Sequence, residues 1–215
     1  MSKPRLLDLF CKAGGASMGY YNAGFEVVGV DIKNQKRYPF EFIKKDALEV
    51  LADTAFLKTF DVITASPPCQ THSITQHLRN AQGKGTDKVD LIPQTREGIM
   101  KSGVDYIIEN VPGAPLINAL TLCGSSFGLK VRRHRQFESS FTLTGLECKH
   151  KEQGKPVGIY GSMRDEIPGG GHTAKTIEQA REAMGIDWMI WGELVEAIPP
   201  IYTEHLGKQI IGFFE

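Results

Sequence analysis

Residues 5–23 read RLLDLFCKAGGASMGYYNA, and this stretch decides the fold. It opens with a short apolar run from Arg5 to Phe10, which is typical of a buried strand. The chain turns at Ala13-Gly14-Gly15 and continues into a helical stretch from Ala16 to Ala23. A glycine turn between a strand and a helix lets the backbone approach a ligand closely, although a tight turn without any ligand fits the same pair of glycines.

Strands and helices continue to alternate along the chain. Further strands are predicted at Phe25–Val30, Phe42-Ile43, Asp61–Ala65 and Tyr106–Ile108, and helices at Ala47–Lys58 and Gln94–Ser102. Strands that alternate with helices predict an α/β fold with a mostly parallel sheet and helices on both faces. Ligands of such sheets bind beyond the carboxyl ends of the strands.

The second half of the chain has a different character. Residues 139–175 are rich in glycine, threonine and charge, which predicts a loop-dominated insertion with one short strand at Val157–Tyr160. Helices are predicted at Ile177–Leu194 and Tyr202–Phe213. We therefore divide the chain into a first domain at 1–138, an insertion at 139–175 and C-terminal helices at 176–215 that return to the first domain.

Composition excludes collagen-like, coiled-coil and wholly disordered proteins. The 215 residues are 41% hydrophobic and 23% charged, which are values of a globular protein with a real core. We find no apolar run long enough to span a membrane and expect no membrane partner. Four scattered cysteines suit a reducing compartment, so we expect a cytoplasmic protein. The net charge of zero gives no strong expectation of a polyanionic partner.

Two polar loops follow neighbouring strands. Pro67-Pro68-Cys69-Gln70 fixes the backbone beside a cysteine, which makes the Cys69 thiolate a candidate nucleophile, with a structural cysteine as the alternative. Glu109-Asn110 ends the next strand. A carboxylate facing a thiol suggests covalent addition to a ring, assisted by a proton at a ring nitrogen. A helix or turn cap is the alternative for Glu109.

Other charged side chains also follow predicted strands. Asp31 could accept hydrogen bonds from the hydroxyls of a ribose, and Asp46 from the amino group of an adenine. Both could instead cap helices. Arg133-His134-Arg135 places two guanidiniums on one side of an extended segment, which suits a carbonyl or phosphate, with a solvated basic edge as the alternative.

Together these motifs resemble the DNA cytosine-5 methyltransferase family, in the form of the short members encoded by bacteriophages. Six motifs occur in the family's order, and they are Asp8–Gly15, Asp31 with Asp46, Pro67–Ser73, Glu109–Val111, Arg133–Arg135 and Glu196–Pro200. The resemblance implies a Rossmann-like class I fold that binds S-adenosylmethionine. It also implies methylation of carbon 5 of a flipped cytosine through a covalent Cys69 adduct.

The resemblance assigns roles to residues of three kinds. Catalytic roles fall to Cys69, Glu109, Arg133 and Arg135. Contacts with the cofactor fall to Phe10, Ala13, Gly14, Gly15, Asp31, Ile32, Asp46, Ala47, Pro67, Glu196 and Ile198. Contacts with the substrate fall to Gln70, Ser73 and Asn110, of which Asn110 is expected to brace the nucleophile loop.

The sequence departs from the family in three motifs and, most of all, in the length of one region. Lys12 replaces the usual first glycine of the cofactor motif, Thr71-His72 replace a proline and a phenylalanine, and Glu196 replaces an asparagine. Residues 139–175 stand where family members carry a long target-recognition region. Since sequence readout needs side chains that reach base edges, so short an insertion is a rudimentary recognition region.

Several alternatives stay open. The same chemistry could act on RNA cytosine, single-stranded DNA or a free cytosine nucleotide, and a silent DNA-binding or regulatory homologue is the second alternative. We expect a monomer that acts on duplex DNA, in a bacterial host cell if a phage encodes it, and a partner chain could supply target recognition. Cys148-Lys149-His150 is half of a zinc motif, but no second pair follows at ligand spacing, so we expect a surface turn and no metal.

Overall fold

A seven-stranded sheet forms the centre of the computed structural model, which describes residues 2–68, 89–161 and 171–214. Its strands are β1 (Arg5–Leu9), β2 (Glu26–Asp31), β3 (Glu41–Lys44), β4 (Val62–Ala65), β5 (Asp105–Asn110), β6 (Leu120–Leu122) and β7 (Arg135–Ser139). They lie in the order β3-β2-β1-β4-β5-β7-β6. The first five strands pair in parallel, and β7 runs antiparallel between β5 and β6. The predicted α/β class is confirmed.

Eight helices and a small second sheet complete the described residues. The helices are α1 (Gly15–Ala23), α2 (Ala47–Leu51), α3 (Thr54–Leu57), α4 (Ile92–Ser102), α5 (His150–Gln153), α6 (Ile177–Met184), α7 (Trp191–Glu196) and α8 (Pro200–Ile210). Short 3-10 helices lie at Gly124–Phe127 and Ile211–Phe213, and β8 (Val157–Gly158) pairs in parallel with β9 (His172–Thr173). None of the helices in these ranges is long and apolar enough to cross a membrane.

Two predicted helices are each divided in the structure. The helix predicted at 47–58 is interrupted because Asp53 caps the start of α3, where its Oδ1 accepts from Phe56 N at 3.0 Å. The helix predicted at 177–194 ends at Gly185, which has a φ of 67° and closes α6 in the left-handed conformation. The segment that follows, up to Ile190, is a loop that leads to α7.

Apolar side chains cover both faces of the sheet. On one face Leu6, Val62 and Ile107 pack against α1 and α8. Their immediate neighbours Leu7, Ile63 and Ile108 point to the other face and pack against α2, α3 and α4. This alternation follows from the two-residue period of a strand, and it confirms the prediction of helices on both faces.

Helix α8 approaches α1 closely because small residues line the contact. A Cβ atom added at Gly19 would lie 2.0 Å from Pro200 O, and one added at Gly207 would lie 2.6 Å from the Cβ atom of Ala23. Thr203 Oγ1 also donates to Ala16 O at 2.8 Å. The C-terminal helix is therefore fixed against the first helix of the chain.

The described residues of the insertion pack with the C-terminal segment. Val157, Ile159 and Ala174 are buried in one cluster with side chains of α6 such as Ala183 and Met184. The boundary predicted between residues 138 and 139 falls inside β7. The strands β6 and β7 were not predicted, because β6 is only three residues long and β7 has a single apolar side chain, Phe137.

Candidate active site

A cavity of about 530 Å³ opens where the order of the parallel strands reverses, between β1 and β4. Parallel sheets bind their ligands at this kind of crevice. The β1–α1 loop, the ends of β4 and β5, the segment before β7 and the segment 189–198 border it. Of the residues singled out in the sequence, those that line the cavity are Phe10, Ala13, Gly15, Pro67, Glu109, Asn110, Arg133, Arg135, Glu196 and Ile198.

The β1–α1 loop has an unusual backbone. Phe10 and Lys12 have φ values of 61° and 50°, and Gly14 has a φ of 83°. Lysine thus occupies a conformation that glycine adopts more readily, at the position where Lys12 departs from the family motif. Lys12 Nζ lies 3.2 Å from Glu196 Oε2, and both side chains are about half exposed. These two departures from the family motif form an ion pair with each other.

The C-terminal segment closes directly onto this loop. A Cβ atom at Gly15 would lie 2.4 Å from Ile198 O, so only glycine permits this approach. Trp188 Nε1 donates to Ala13 O at 2.9 Å. Trp188 therefore contacts the loop itself. Its bond to a carbonyl of the turn is a contact at the cavity that sequence reasoning missed.

Asp8 is a second residue that the sequence analysis left without a role. Its side chain is buried at the cavity and accepts a short hydrogen bond from Ser17 Oγ, whereas its Oδ1 atom has no hydrogen-bond partner among the described residues. Burial raises the pKa of Asp8 to about 7, and the Ser17 bond opposes this shift. In the sequence, the signal for a special role of Asp8 is that an acidic residue stands within an otherwise apolar strand.

The two acids predicted to contact a cofactor hold the backbone. Asp31 accepts from Lys12 N at 3.2 Å and from Lys33 N at 2.9 Å, so it ties the β1–α1 loop to the end of β2. Asp46 caps α2 by accepting from Leu48 N at 2.9 Å. In the described contacts Asp46 therefore acts as a helix cap, which is one of the two alternatives predicted for it.

The remaining predicted cofactor residues have different surroundings. Ile32 follows β2 with 61% of its surface exposed, whereas Ala47 is buried in the core. Gly14 packs against Tyr38 and Pro39. Within the described ranges, these three residues and the two acids lie outside the lining of the cavity.

Glu109 and Arg135 form a buried ion pair at the cavity. Arg135 Nε lies 3.0 Å from Glu109 Oε1, but this oxygen has no aligned hydrogen bond within the described residues. Burial raises the pKa of Glu109, and Arg135, a hydrogen bond with Ser66 and Arg133 act in the opposite direction. Glu109 Oε1 therefore keeps its capacity to bind a ligand.

Arg133 has a different environment from Arg135. Its Nη1 atom donates to the carbonyls of Leu194, Val195 and Ala197, at 3.1, 3.0 and 2.7 Å. Its Nη2 atom donates to Ile159 O at 2.8 Å. Burial and the neighbouring Arg135 lower the pKa of Arg133 to about 10. These bonds join the insertion to the closing segment, so Arg133 holds two walls of the cavity together.

Asn110 braces the loop that follows β4. Its Nδ2 atom donates to Pro67 O at 3.0 Å, and its Oδ1 accepts from Val111 N at 2.9 Å. Pro67 and Pro68 line the cavity. The predicted residues Cys69, Gln70 and Ser73 lie outside the described residues, as do Thr71 and His72.

Comparison with known proteins gives a family and a fold. Residues 4–116 match the family described as C-5 cytosine-specific DNA methylase. The Type II methyltransferase M.FnuDI of Fusobacterium nucleatum is 35% identical over 82 residues, which cover 35% of this chain and 23% of that protein. The Type II methyltransferase M.HgiGI of Herpetosiphon aurantiacus is 30% identical over 98 residues, which cover 41% of this chain and 77% of that protein.

Solved structures of low sequence identity share the fold over essentially the whole chain. A DNA modification methyltransferase encoded within an E. coli prophage has a TM-score of 0.66 at 14% identity, with 99% of both chains covered. The methyltransferase EhMeth of Entamoeba histolytica has a TM-score of 0.64 at 10% identity, and the Dnmt2 methyltransferase of S. pombe one of 0.62 at 12%, each with both chains fully covered. The predicted Rossmann-like class I fold is thereby confirmed.

Proposed function

Because the chain belongs to the C-5 cytosine-specific DNA methylase family, we propose that it transfers a methyl group from S-adenosylmethionine to carbon 5 of a cytosine in DNA. The observation that carries the proposal is the buried Glu109 carboxylate beside Arg135, in a cavity that also borders the β1–α1 loop. One cavity thus offers a site for a ring with polar edges and a site for a nucleotide-like cofactor.

The cofactor end of the cavity fits S-adenosylmethionine by charge. Asp8 Oδ1 is a buried acceptor without a partner among the described residues, and the cofactor carries a cationic sulfonium and an amino group. Phe10, Ala13 and Gly15 would hold it. When bound, the cofactor supplies an electrophilic methyl group.

The fit extends to the ends of the neighbouring strands. The exposed side chain of Ile32 is free to contact an adenine, beside the backbone that Asp31 fixes. Ribose and adenine contacts by Asp31 and Asp46 would add to the backbone bonds that these acids already make. A carboxylate oxygen has more than one lone pair, so both kinds of contact are compatible.

The substrate end of the cavity would activate the cytosine. The raised pKa of Glu109 favours its protonated form, which can donate to ring nitrogen N3 while its other oxygen accepts from the exocyclic amine. Arg135 would donate to the carbonyl at carbon 2. Its distance of 3.0 Å from Glu109 lets both side chains engage one base edge.

The covalent steps fall to Cys69. Addition of its thiolate at carbon 6 breaks the aromaticity of the ring and moves electron density onto carbon 5, which then takes the methyl group. Loss of the proton at carbon 5 expels Cys69 and restores the ring. Arg133 takes no part in these steps in our proposal, because its donors bind four backbone carbonyls, and we assign it a positioning role.

Duplex DNA is the proposed substrate, which requires flipping of the target base, since carbon 5 must reach the cofactor. RNA cytosine, single-stranded DNA and a free cytosine nucleotide are the competing substrates. All can be distinguished in one assay. Purified protein is incubated with labelled S-adenosylmethionine and each substrate, and the digested nucleosides are analysed by mass spectrometry.

We expect 5-methyldeoxycytidine from duplex DNA. Label in RNA or in dCMP alone would keep the chemistry and overturn the substrate, and no label with intact cofactor binding would favour the silent homologue. The variant Cys69→Ser is expected to lose methyl transfer while it binds the cofactor as the unaltered protein does. A parallel loss of cofactor affinity would instead make Cys69 a structural residue.

A further inference from the structure

Four side chains that can ligate a metal converge from three segments of the chain beside the candidate active site. The ligand atoms of Cys123, His134, Cys148 and His150 all lie within 4.8 Å of one another. Cys123 Sγ is 3.2 Å from His150 Nε2, and Cys148 Sγ is 3.5 Å from His134 Nε2. We propose that these four residues bind a single zinc ion in a tetrahedral Cys2His2 site.

The distances suit zinc. With Zn–S bonds of about 2.3 Å and Zn–N bonds of about 2.0–2.1 Å, tetrahedral ligand atoms lie about 3.4–3.8 Å apart. The sulfur–nitrogen distances of 3.2 and 3.5 Å are close to this range, so the shorter pair would lengthen slightly while the wider pairs contract. Two thiolates and two imidazoles form a donor set that zinc prefers, whereas calcium and magnesium require oxygen ligands, which this cluster lacks.

The four ligands come from three separate segments. Cys123 is buried at the start of the 3-10 helix that follows β6, and His134 immediately precedes β7. Cys148 lies in the loop that leads into α5, and His150 is the first residue of that helix. Only Cys148 and His150 form a pair at the spacing of a zinc motif, whereas Cys123 and His134 stand alone in the sequence. The sequence alone therefore predicted a surface turn and no metal.

The loop that carries Cys148 is anchored at Thr144, which bonds to Gln209 and His205 of α8, and from there it runs over the 3-10 helix. Residues 144–149 have no regular secondary structure and are exposed to solvent. Two hydrogen bonds hold it to the 3-10 helix, from Lys149 N to Ser125 Oγ at 3.0 Å and from Ser126 Oγ to Glu147 O at 2.8 Å. A segment without a core of its own is the type of structure that a bound metal stabilises.

The surroundings also accommodate the change in protonation. Cys123 Sγ contacts Arg132 O and Ser125 Oγ, each at 3.1 Å. As a thiol, Cys123 donates to the carbonyl. Zinc binding displaces the protons of both thiols to solvent, and the Ser125 hydroxyl can then donate to the thiolate of Cys123, as outer-shell partners of metal ligands do.

The proposed site has a structural consequence for the cavity. His134 lies between Arg133, which joins the cavity walls, and Arg135, which pairs with Glu109. A metal ion bound to His134 would fix the backbone from which both arginines project. This role is one of positioning, and the zinc site itself does not depend on the proposed methyl transfer.

Metal content tests the proposal directly. The protein is produced in zinc-supplemented medium, purified without chelators and analysed by inductively coupled plasma mass spectrometry. We expect about one zinc ion per chain in the unaltered protein, as for a closed four-ligand site. Cys148→Ser and His150→Ala are expected to lose this zinc, whereas the control variants Cys11→Ser and His172→Ala are expected to keep it.

Cobalt replacement gives a second readout. Cobalt added to the metal-free protein should produce thiolate charge-transfer and intense visible bands of a tetrahedral site, and these should be absent in Cys148→Ser. Removal of the metal should lower the melting temperature of the unaltered protein by several degrees and leave that of Cys148→Ser unchanged. Zinc-free protein that shows no cobalt bands would overturn the proposal, whatever its methyltransferase activity.

A disulfide between Cys123 and Cys148 is the main competing structure. Titration of thiols in denatured protein, without reductant, distinguishes it, because the chain contains four cysteines. Four reactive thiols after chelation support the zinc site. Two reactive thiols, with no zinc bound in the native protein, would overturn it in favour of the disulfide.

Discussion

Arg135 Nε lies 3.0 Å from Glu109 Oε1, across the antiparallel pair formed by β5 and β7. The antiparallel register brings residue 109 opposite residue 137. Arg135, the first residue of β7, therefore lies beside the end of β5. Strand β7, which lies between β5 and the edge strand β6, thereby delivers a cation to the buried acid at the proposed substrate end of the cavity.

Replacement of Glu109 by glutamine tests this pair. The variant cannot carry a proton to a ring nitrogen, so we expect methyl transfer to fall by about 10²- to 10⁴-fold, the range typical of a lost acid–base group. Cofactor affinity, measured by calorimetry, should stay within about twofold of the unaltered protein, because the lost acid acts on the substrate. Glu147→Gln, an exposed acid exchanged in the same way, is the matched control and should keep full activity.

Asp8 should make the stability of the ligand-free protein depend on pH. Its pKa is about 7 in the folded protein and about 3.9 in an unfolded chain, so between these values the folded state holds a proton that the unfolded state releases. The contribution of Asp8 to the free energy of unfolding therefore falls as the pH rises from about 4 to about 7 and levels off above that. Melting temperatures measured across this range should show a shallower dependence in Asp8→Asn. Identical curves for both proteins would contradict the raised pKa.

Arg133→Met should destabilise the fold. The substitution removes a donor from four carbonyl groups, of which Leu194 O keeps a bond from Ala197 N at 3.3 Å. A buried group left unpaired costs about 1–3 kcal/mol before relaxation, so we expect a total loss of about 3 kcal/mol or more. Urea denaturation measures this loss in the free energy of unfolding. Arg132→Met removes a single hydrogen bond to Gln153 at 3.3 Å and should cost less than about 1 kcal/mol. Equal losses in both variants would show that Arg133 does not join the cavity walls.

Gly15→Ala should separate the closing segment from the β1–α1 loop. The added methyl group would lie 2.4 Å from Ile198 O, a backbone atom that cannot move alone, so we expect a loss of about 1–3 kcal/mol together with weaker cofactor binding. Gly192→Ala in α7 has open space around its Cβ position and a helical backbone, and it should be neutral or stabilise by up to about 1 kcal/mol. Thermal melts with and without the cofactor check both expectations.

The sequence was sufficient for the parallel core of the fold. Each of the strands β1, β2, β4 and β5 is a run of apolar residues that ends at a polar or turn residue, and both features arise from burial on two faces. Strand β7 carries Arg135, Gln136 and Glu138, so no apolar run marks it. Pairing with β5, which only the tertiary structure provides, makes it a strand.

The site was predictable in its motifs but not in its contacts. Glu109 and Gly15 could be singled out from their place after strands. That Asp8 keeps an oxygen without a partner, or that Trp188 donates to Ala13 O, depends on chain segments that meet only after folding. The cluster of Cys123 and His150 was missed for the same reason, since 27 positions separate them.

The contacts between the β1–α1 loop and the closing segment can form only some time after the loop has been synthesised. Ala13 and Trp188 are 175 positions apart, and Ala16 and Thr203 are 187 positions apart. At a translation rate of about 5–20 residues per second, a ribosome needs about 10–35 s between the two halves of this contact. During that interval the nascent chain has its glycine turn but not the wall that closes it. A growing polypeptide therefore cannot complete this cavity before the residues of the closing segment have been made.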